Sequence, residues 1–214
     1  MRVGIFGTGD VGRALGRGFA MLGHEVKMGS RDAHNEKARA WASEVGKLAS
    51  AGTFADAARF AEMGVLATLW SGTESALSLA GAQNLAGKVL IDATNPLVFA
   101  PGAPPALAVG HTDSGGEHVQ RWTPQARVVK AFNTVGHPHM VKPQFPGGPP
   151  DMFICGNDAS AKTSVTGILT GFGWNTIDMG GIESARILEP MCVLWVLYGI
   201  RTNTWNHAFK VLKK

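Results

Sequence analysis

Apolar residues fall in short blocks separated by glycine-rich or polar turns, and most blocks lead into a longer stretch with helical spacing. The blocks Val3–Phe6, Val26–Met28, Val65–Leu69, Val89–Asp92 and Val128–Phe132 read as strands, being short and rich in β-branched residues. Val11–Leu22, Glu36–Val45, Phe54–Ala61 and Glu74–Ala80 read as helices between them, and a weaker block at Lys47–Ala49 is the expected third strand of the first half. This alternation implies right-handed strand–helix–strand units, hence an α/β doubly wound fold with a mainly parallel sheet and helices on both faces. Later in the chain, Met152–Cys155 and Trp174–Ile177 read as strands around a helix at Ala159–Thr170. A long apolar helix follows from about Glu183. We expect a dinucleotide-binding domain over residues 1–135 and, over 136–214, a small strand-and-helix extension that packs on the sheet and completes a pocket.

The first block runs straight into Gly7-Thr8-Gly9-Asp10-Val11-Gly12, a G-x-G-x-x-G that follows a strand and opens a helix. In the Rossmann arrangement the first glycine allows a tight turn, the second lets the backbone approach a pyrophosphate, and the third lets helix and strand pack closely. The phosphates then rest on free N–H groups at the positive end of the helix. NAD-selective sites usually place Asp or Glu at the end of the second strand, for the ribose 2′-hydroxyl. This chain has Gly29-Ser30-Arg31 there, and a hydroxyl with a guanidinium suits a 2′-phosphate. The reading is therefore NADP(H), with Ser30 and Arg31 on the extra phosphate, in place of Asp32 on a ribose. Lys37 is a surface lysine that could add charge nearby.

Composition narrows the alternatives. Of the 214 residues 45% are hydrophobic and 17% charged, which calls for a substantial core. The surplus of four basic residues suits an anionic coenzyme but is too dispersed for nucleic acid. The two cysteines, Cys155 and Cys192, lack metal-ligand spacing and read as small buried apolar groups. With Met1-Arg2 leading directly into a strand and no Asn-x-Ser/Thr sequon, the expected location is the cytoplasm. The longest apolar run, Met191–Ile200, is well short of the roughly 20 residues of a membrane span. It fits a buried helix or a homodimer interface equally well.

Further candidate residues sit at strand ends, which in a doubly wound sheet face the ligand crevice. Thr68-Leu69-Trp70 could bracket the ribose and nicotinamide, or Trp70 could cap the core. Asn95-Pro96-Leu97 is a turn that would wall a flat ring. Ala131 to Asn133 ends the fifth block, and Asn133 offers both a donor and an acceptor to a carboxamide or an incoming ring. Glu183, Arg186 and Glu189 recur at three-residue spacing and are expected to pair along one helix face. Two loops, 98–118 and 136–150, are long enough to be functional; the second holds five prolines and three glycines. His137 and His139 could share one side of an extended segment there, beside the pocket; no metal site is expected, and no hydrolase or NTPase motif is present.

These segments carry a family resemblance. Gly-Thr-Gly-Asp-Val-Gly-Arg-Ala-Leu-Gly, Gly-Ser-Arg-Asp, Asn-Pro-Leu, Lys-Ala-Phe-Asn-Thr and Ser-Ala-Arg-Ile-Leu-Glu-Pro resemble the coenzyme F420-dependent NADP oxidoreductases and the cytosolic domain of the STEAP metalloreductases. The resemblance implies that Gly7–Gly12 bind the NADP pyrophosphate and Ser30 and Arg31 the 2′-phosphate. Thr68–Trp70, Asn95–Leu97 and Ala131–Asn133 would line the nicotinamide and a stacked F420 or flavin (FMN or FAD). Hydride would then pass directly between the rings, with the protein supplying position and electrostatics. One departure is Asn133, where the archaeal pattern has His. A reductase of a small imine or carbonyl, and a non-catalytic NADPH sensor, are the alternatives.

Overall fold

The computed structural model describes residues 1–214. In chain order the elements are β1 (Arg2–Phe6), α1 (Asp10–Met21), β2 (Glu25–Ser30), α2 (Glu36–Val45), β3 (Ala49–Thr53), α3 (Phe54–Phe60), β4 (Met63–Leu66) and α4 (Trp70–Ala80). There follow β5 (Val89–Asp92), β6 (Leu97–Val98), β7 (Ala106–Leu107), α5 (Gly115–Trp122), β8 (Arg127–Lys130), β9 (Asp151–Ile154), α6 (Ala159–Gly171), β10 (Asn175–Asp178) and α7 (Ala185–Thr202). Six strands form one sheet in the order β3-β2-β1-β4-β5-β8, every pair parallel. The order reverses between β1 and β4, which opens the crevice at their carboxyl ends. The doubly wound architecture expected from the hydropathy pattern is therefore the one observed.

Both faces of the sheet are covered, and β1, β4, β5 and β8 are buried over most of their length while the edge strand β3 is half-buried. Val3, Ile5, Val26, Met28 and Val65 face Leu15 and Phe19 of α1, Trp41 of α2 and Val165 and Leu169 of α6. Phe6, Leu66, Leu90 and Val128 face α3, α4, α5 and α7 through Ala57, Leu77, Val119 and Leu188. The parallel pair β9–β10 hangs on the sheet edge through an antiparallel bridge between Lys130 and Cys155. No helix is long and apolar enough to cross a membrane.

Several boundaries and one contact pattern depart from the expectations. The third strand begins at Ala49, not Lys47, because a turn closed by Ala49 N–H on Gly46 O occupies the intervening residues. The strand expected to reach Leu69 stops at Leu66, and the next helix opens at Trp70 rather than Glu74. His137 and His139 do not lie in an extended segment: they form one 3₁₀ turn, with His139 Nε2 bonded to Asn206. Glu183, Arg186 and Glu189 do not pair with one another. Arg186 reaches across to Glu117 on α5 at 2.8 Å, and Glu189 turns inward to the sheet. The cross-element partners win because α7 crosses α5 and the end of β8. Along α7, Leu188, Cys192 and Trp195 are buried while Ile187, Leu194 and Tyr198 stay exposed.

Glu189 belongs to a charged cluster with no counterpart elsewhere in the interior. Asp92 and Lys130 are register partners at the carboxyl ends of β5 and β8, and Lys130 Nζ lies 2.8 Å from Asp92 Oδ2 and 3.0 Å from Glu189 Oε1. Its third proton goes to Thr94 O at 2.8 Å. The two carboxylates hold the Lys130 ammonium well above the ordinary lysine range although burial opposes its charge. The same burial pushes the Cys155 and Cys192 thiols up to about 12, so both stay protonated. Removing one member of such a buried set leaves the others uncompensated. We predict that Lys130→Met lowers unfolding stability by about 3–5 kcal/mol in urea titrations; a loss below about 1 kcal/mol would show that the cluster does not hold the extension to the sheet.

Candidate coenzyme site

The carboxyl ends of β1, β2, β4, β5 and β8 open on one edge of the sheet, and the residues singled out in the sequence gather there. Backbone pairing continues past the strands, with Gly7 N–H on Gly29 O, Ala67 N–H on Phe6 O, Ala93 N–H on Leu66 O and Ala131 N–H on Asp92 O. This fixes the five exits relative to one another. Gly7 turns the chain at a φ of 132°, and a Cβ there would stand 2.3 Å from Ala67 O. A Cβ on Gly12 would meet Gly7 O at the same distance, which is how closely α1 packs on the turn. Gly9 differs: a Cβ there meets nothing within 4 Å, so the space above it is open.

That open space sits over an unsatisfied helix end. The first α1 bond runs from Arg13 N–H to Gly9 O, which leaves the amides of Asp10, Val11 and Gly12 without helical partners. No side chain caps them, and α4, with Leu69 at its N-cap, is uncapped too. By contrast Asn35, Thr53, Ser114 and Asp158 cap α2, α3, α5 and α6. The α7 end is bare as well but continues from a 3₁₀ turn at Ile182–Ser184; the α1 and α4 ends both follow strands of the crevice, which is the arrangement an anion needs.

At the end of β2, Ser30 is buried and its hydroxyl donates to Asp32 O. Arg31 is exposed and makes no ion pair, while Asp32 Oδ1 is taken by the His34 amide at 2.9 Å. A cation free of partners fits a phosphomonoester, and the Ser30 hydroxyl can add a donor by turning away from Asp32 O, so these residues fit the NADP 2′-phosphate. Lys37 is exposed one turn into the neighbouring helix.

The other half of the edge is more apolar. Leu69 is 80% exposed, and Trp70 stacks at a tilt against Trp122 with His118 edge-on to both. A Cβ on Gly115 would lie 3.1 Å from the Trp70 ring and 3.2 Å from Pro96 Cδ, so these three pack together. Leu97 opens the β6–β7 hairpin, and Thr68 Oγ1 bonds Thr73 Oγ1 at 2.9 Å. Two residues sit deeper than the sequence suggested. Ala131 is fully buried in the core. Asn133 is 2% exposed and clamps its surroundings: its Nδ2 donates to Leu188 O at 2.8 Å and to Asn95 Oδ1 at 3.2 Å. Asn95 Nδ2 answers with a bond to Asn133 O at 2.9 Å. Asn133 Oδ1 is buried with no partner, an acceptor left over at the wall.

Sequence reasoning missed the charged cluster under this wall. Asp92 Oδ1 accepts from Thr94 N–H and Thr94 Oγ1, and Glu189 accepts from the Gly115 and Gly116 amides. The cluster thus holds the Thr94–Pro96 turn and the start of α5 in place. The available signal was an Asp and a Lys closing two strands with apolar centres. No group of His, Cys, Asp and Glu is placed to hold a metal ion. A groove of about 280 Å³ lies elsewhere, between Ala14, Arg17, Gly18 and Met21 of α1 and the 137–142 segment.

Comparison with known proteins agrees with this geometry. The profile of the family described as NADP oxidoreductase, coenzyme F420-dependent, matches residues 2–96. The F420-dependent NADP reductase of Methanothermobacter thermautotrophicus is 31% identical over 221 residues, covering 97% of this chain and 92% of that protein. A crystal structure of a candidate F420-dependent NADP reductase from Arthrobacter sp. FB24 superposes with a TM-score of 0.93 at 41% identity, over 99% of both chains. Metalloreductase STEAP3 of Rattus norvegicus is 30% identical over 89% of this chain, which spans only 36% of that protein. With its crevice, its bare helix ends and these relatives, the chain belongs to the coenzyme F420-dependent NADP oxidoreductases, a family of NADP-dependent oxidoreductases.

Proposed function

We propose that this chain moves a hydride between NADP(H) and a flat tricyclic acceptor of the deazaflavin or flavin class, with F420 the first candidate. The observation that carries the reading is the pairing of two uncapped helix ends at the crevice, those of α1 and α4, with an unpaired Arg31 at the end of β2. The amides of Asp10, Val11 and Gly12 bind the pyrophosphate, Gly9 lets it approach, and Ser30 with Arg31 takes the 2′-phosphate. Thr68–Trp70, Asn95–Leu97 and the Ala131–Asn133 segment shape the nicotinamide end. Bound there, NADPH supplies the hydride from its nicotinamide ring. The protein's own residues hold the ring and keep water out; direct ring-to-ring transfer needs no strong acid or base, only stacking at reacting distance.

The acceptor assignment is supported by the wall's chemistry. The wall is apolar, with Leu69 exposed, Trp70 half-buried and Pro96 buried behind them, and Asn133 is committed to Asn95 and Leu188. Such a wall suits a large planar ring better than a small imine, which needs a proton donor over its nitrogen.

Two measurements test these assignments. Arg31→Ala is expected to weaken NADPH binding by about 1.5–3 kcal/mol, roughly 10- to 100-fold, while NADH binding changes little. Equal weakening of both by calorimetry would contradict the 2′-phosphate role. For the acceptor, NADPH oxidation followed by absorbance is expected to proceed with F420 and more slowly or not at all with cyclic imines. Turnover with an imine and none with F420, FMN or FAD would overturn the proposed acceptor class.

A further inference from the structure

The Asp92–Lys130–Glu189 cluster contains two carboxyl groups and one ammonium, all removed from solvent at 0%, 0% and 1% side-chain exposure. The protonation state follows from the partners. Asp92 Oδ1 faces the amide and hydroxyl of Thr94, and Asp92 Oδ2 faces Lys130 Nζ. Glu189 Oε1 faces Lys130 Nζ and the Gly116 amide, and Oε2 faces the Gly115 amide. Glu189 meets only N–H donors, and Asp92 meets an amide and a hydroxyl on one oxygen and the ammonium on the other, surroundings that favour the charged form of both acids. The three protons of Lys130 are likewise shared among Asp92, Glu189 and Thr94 O. Two carboxylates set against one ammonium leave the cluster one negative charge in excess. No second cation touches it: Arg186 is bound to Glu117, and Arg127 lies at the other end of β8, beside Ser160.

This charge lies immediately behind the wall assigned to the nicotinamide. Lys130 and Asp92 bind Thr94, which leads into Asn95 and Pro96; Glu189 binds Gly115, which touches Trp70 and Pro96. Nicotinamide is cationic when oxidised and neutral when reduced. A fixed negative charge in the protein interior, where screening is weak, attracts the first and is indifferent to the second. We propose that the uncompensated charge of this cluster shifts the coenzyme site toward NADP⁺ relative to NADPH, and so makes bound NADPH a stronger hydride donor. The inference rests on the coenzyme site described above. It makes Asp92 and Glu189 positioning residues with an electrostatic role, since neither is placed against the ring itself.

The test is the ratio of the dissociation constants of NADP⁺ and NADPH, measured by titration calorimetry on the full chain, with folding checked by circular dichroism. Glu189→Gln removes the excess charge with little change of shape, and Asp92→Asn does so from a different strand; either suffices if the other fails to fold. Each is expected to raise the NADP⁺/NADPH ratio roughly three- to tenfold, whatever its effect on overall affinity. Glu62→Gln, which neutralises an exposed acid at the amino edge of the sheet beside Arg2, is expected to leave the ratio unchanged. Equal weakening of both coenzyme forms by the cluster variants would show a merely structural role and overturn the proposal. Wild-type protein that binds neither form would instead remove the coenzyme site on which it stands.

Discussion

The ammonium of Lys130 is the point at which the separate parts of this molecule meet. It joins β5 to β8 through Asp92, joins the sheet to α7 through Glu189, and fixes the β5 exit through Thr94 O. An isolated charge at that depth would be strongly disfavoured, and the cluster is tolerated because its charges pair with one another and its remaining oxygens accept from backbone amides and the Thr94 hydroxyl. The same requirement makes it directional. Glu189 can satisfy both oxygens only if the Gly115–Gly116 turn sits above it, and that turn sets where Trp70 and Pro96 stand. Apolar packing alone, which tolerates small shifts, would not place this wall so narrowly.

The coenzyme edge shows the opposite principle: binding capacity arises where local structure leaves bonds unmade. Four helices spend a side chain on their first turn, while α1, α4 and α7 do not, and of these three only α1 and α4 open on the crevice. Leaving a helix end bare weakens the helix by about 1 kcal/mol relative to a capped one. An anionic ligand recovers that stabilisation when it binds. Arg31 follows the same logic: like Arg39 and Arg201 it is exposed and makes no ion pair, but of these three it alone stands at the end of a crevice strand.

The sheet, its order-reversing crevice and the anion-binding turn were legible in the sequence because each depends on local pattern. Gly7, Gly9 and Gly12 have distinct steric reasons to be glycine, and the structure separates them: two face backbone at 2.3 Å and one faces open space. What could not be read was anything decided by a partner distant in the chain. The spacing of Glu183, Arg186 and Glu189 suggested a ladder along one helix face, but spacing does not reveal that α5 and β8 offer Arg186 and Glu189 better partners. Asn133 looked like a free amide at a strand end; its neighbours Asn95 and Leu188 come from two other parts of the chain. The apolar run ending in Leu69 gave no sign of where strand yields to helix, since both states accept those residues.

The central claim is that the carboxyl edge of the sheet, and no other concavity, receives the coenzyme. Amide hydrogen exchange with and without saturating NADPH tests it most directly. The account predicts added protection concentrated at residues 7–13, 29–32 and 93–97, with little change in the groove between α1 and residues 137–142. Protection confined to that groove, or none anywhere, would contradict it.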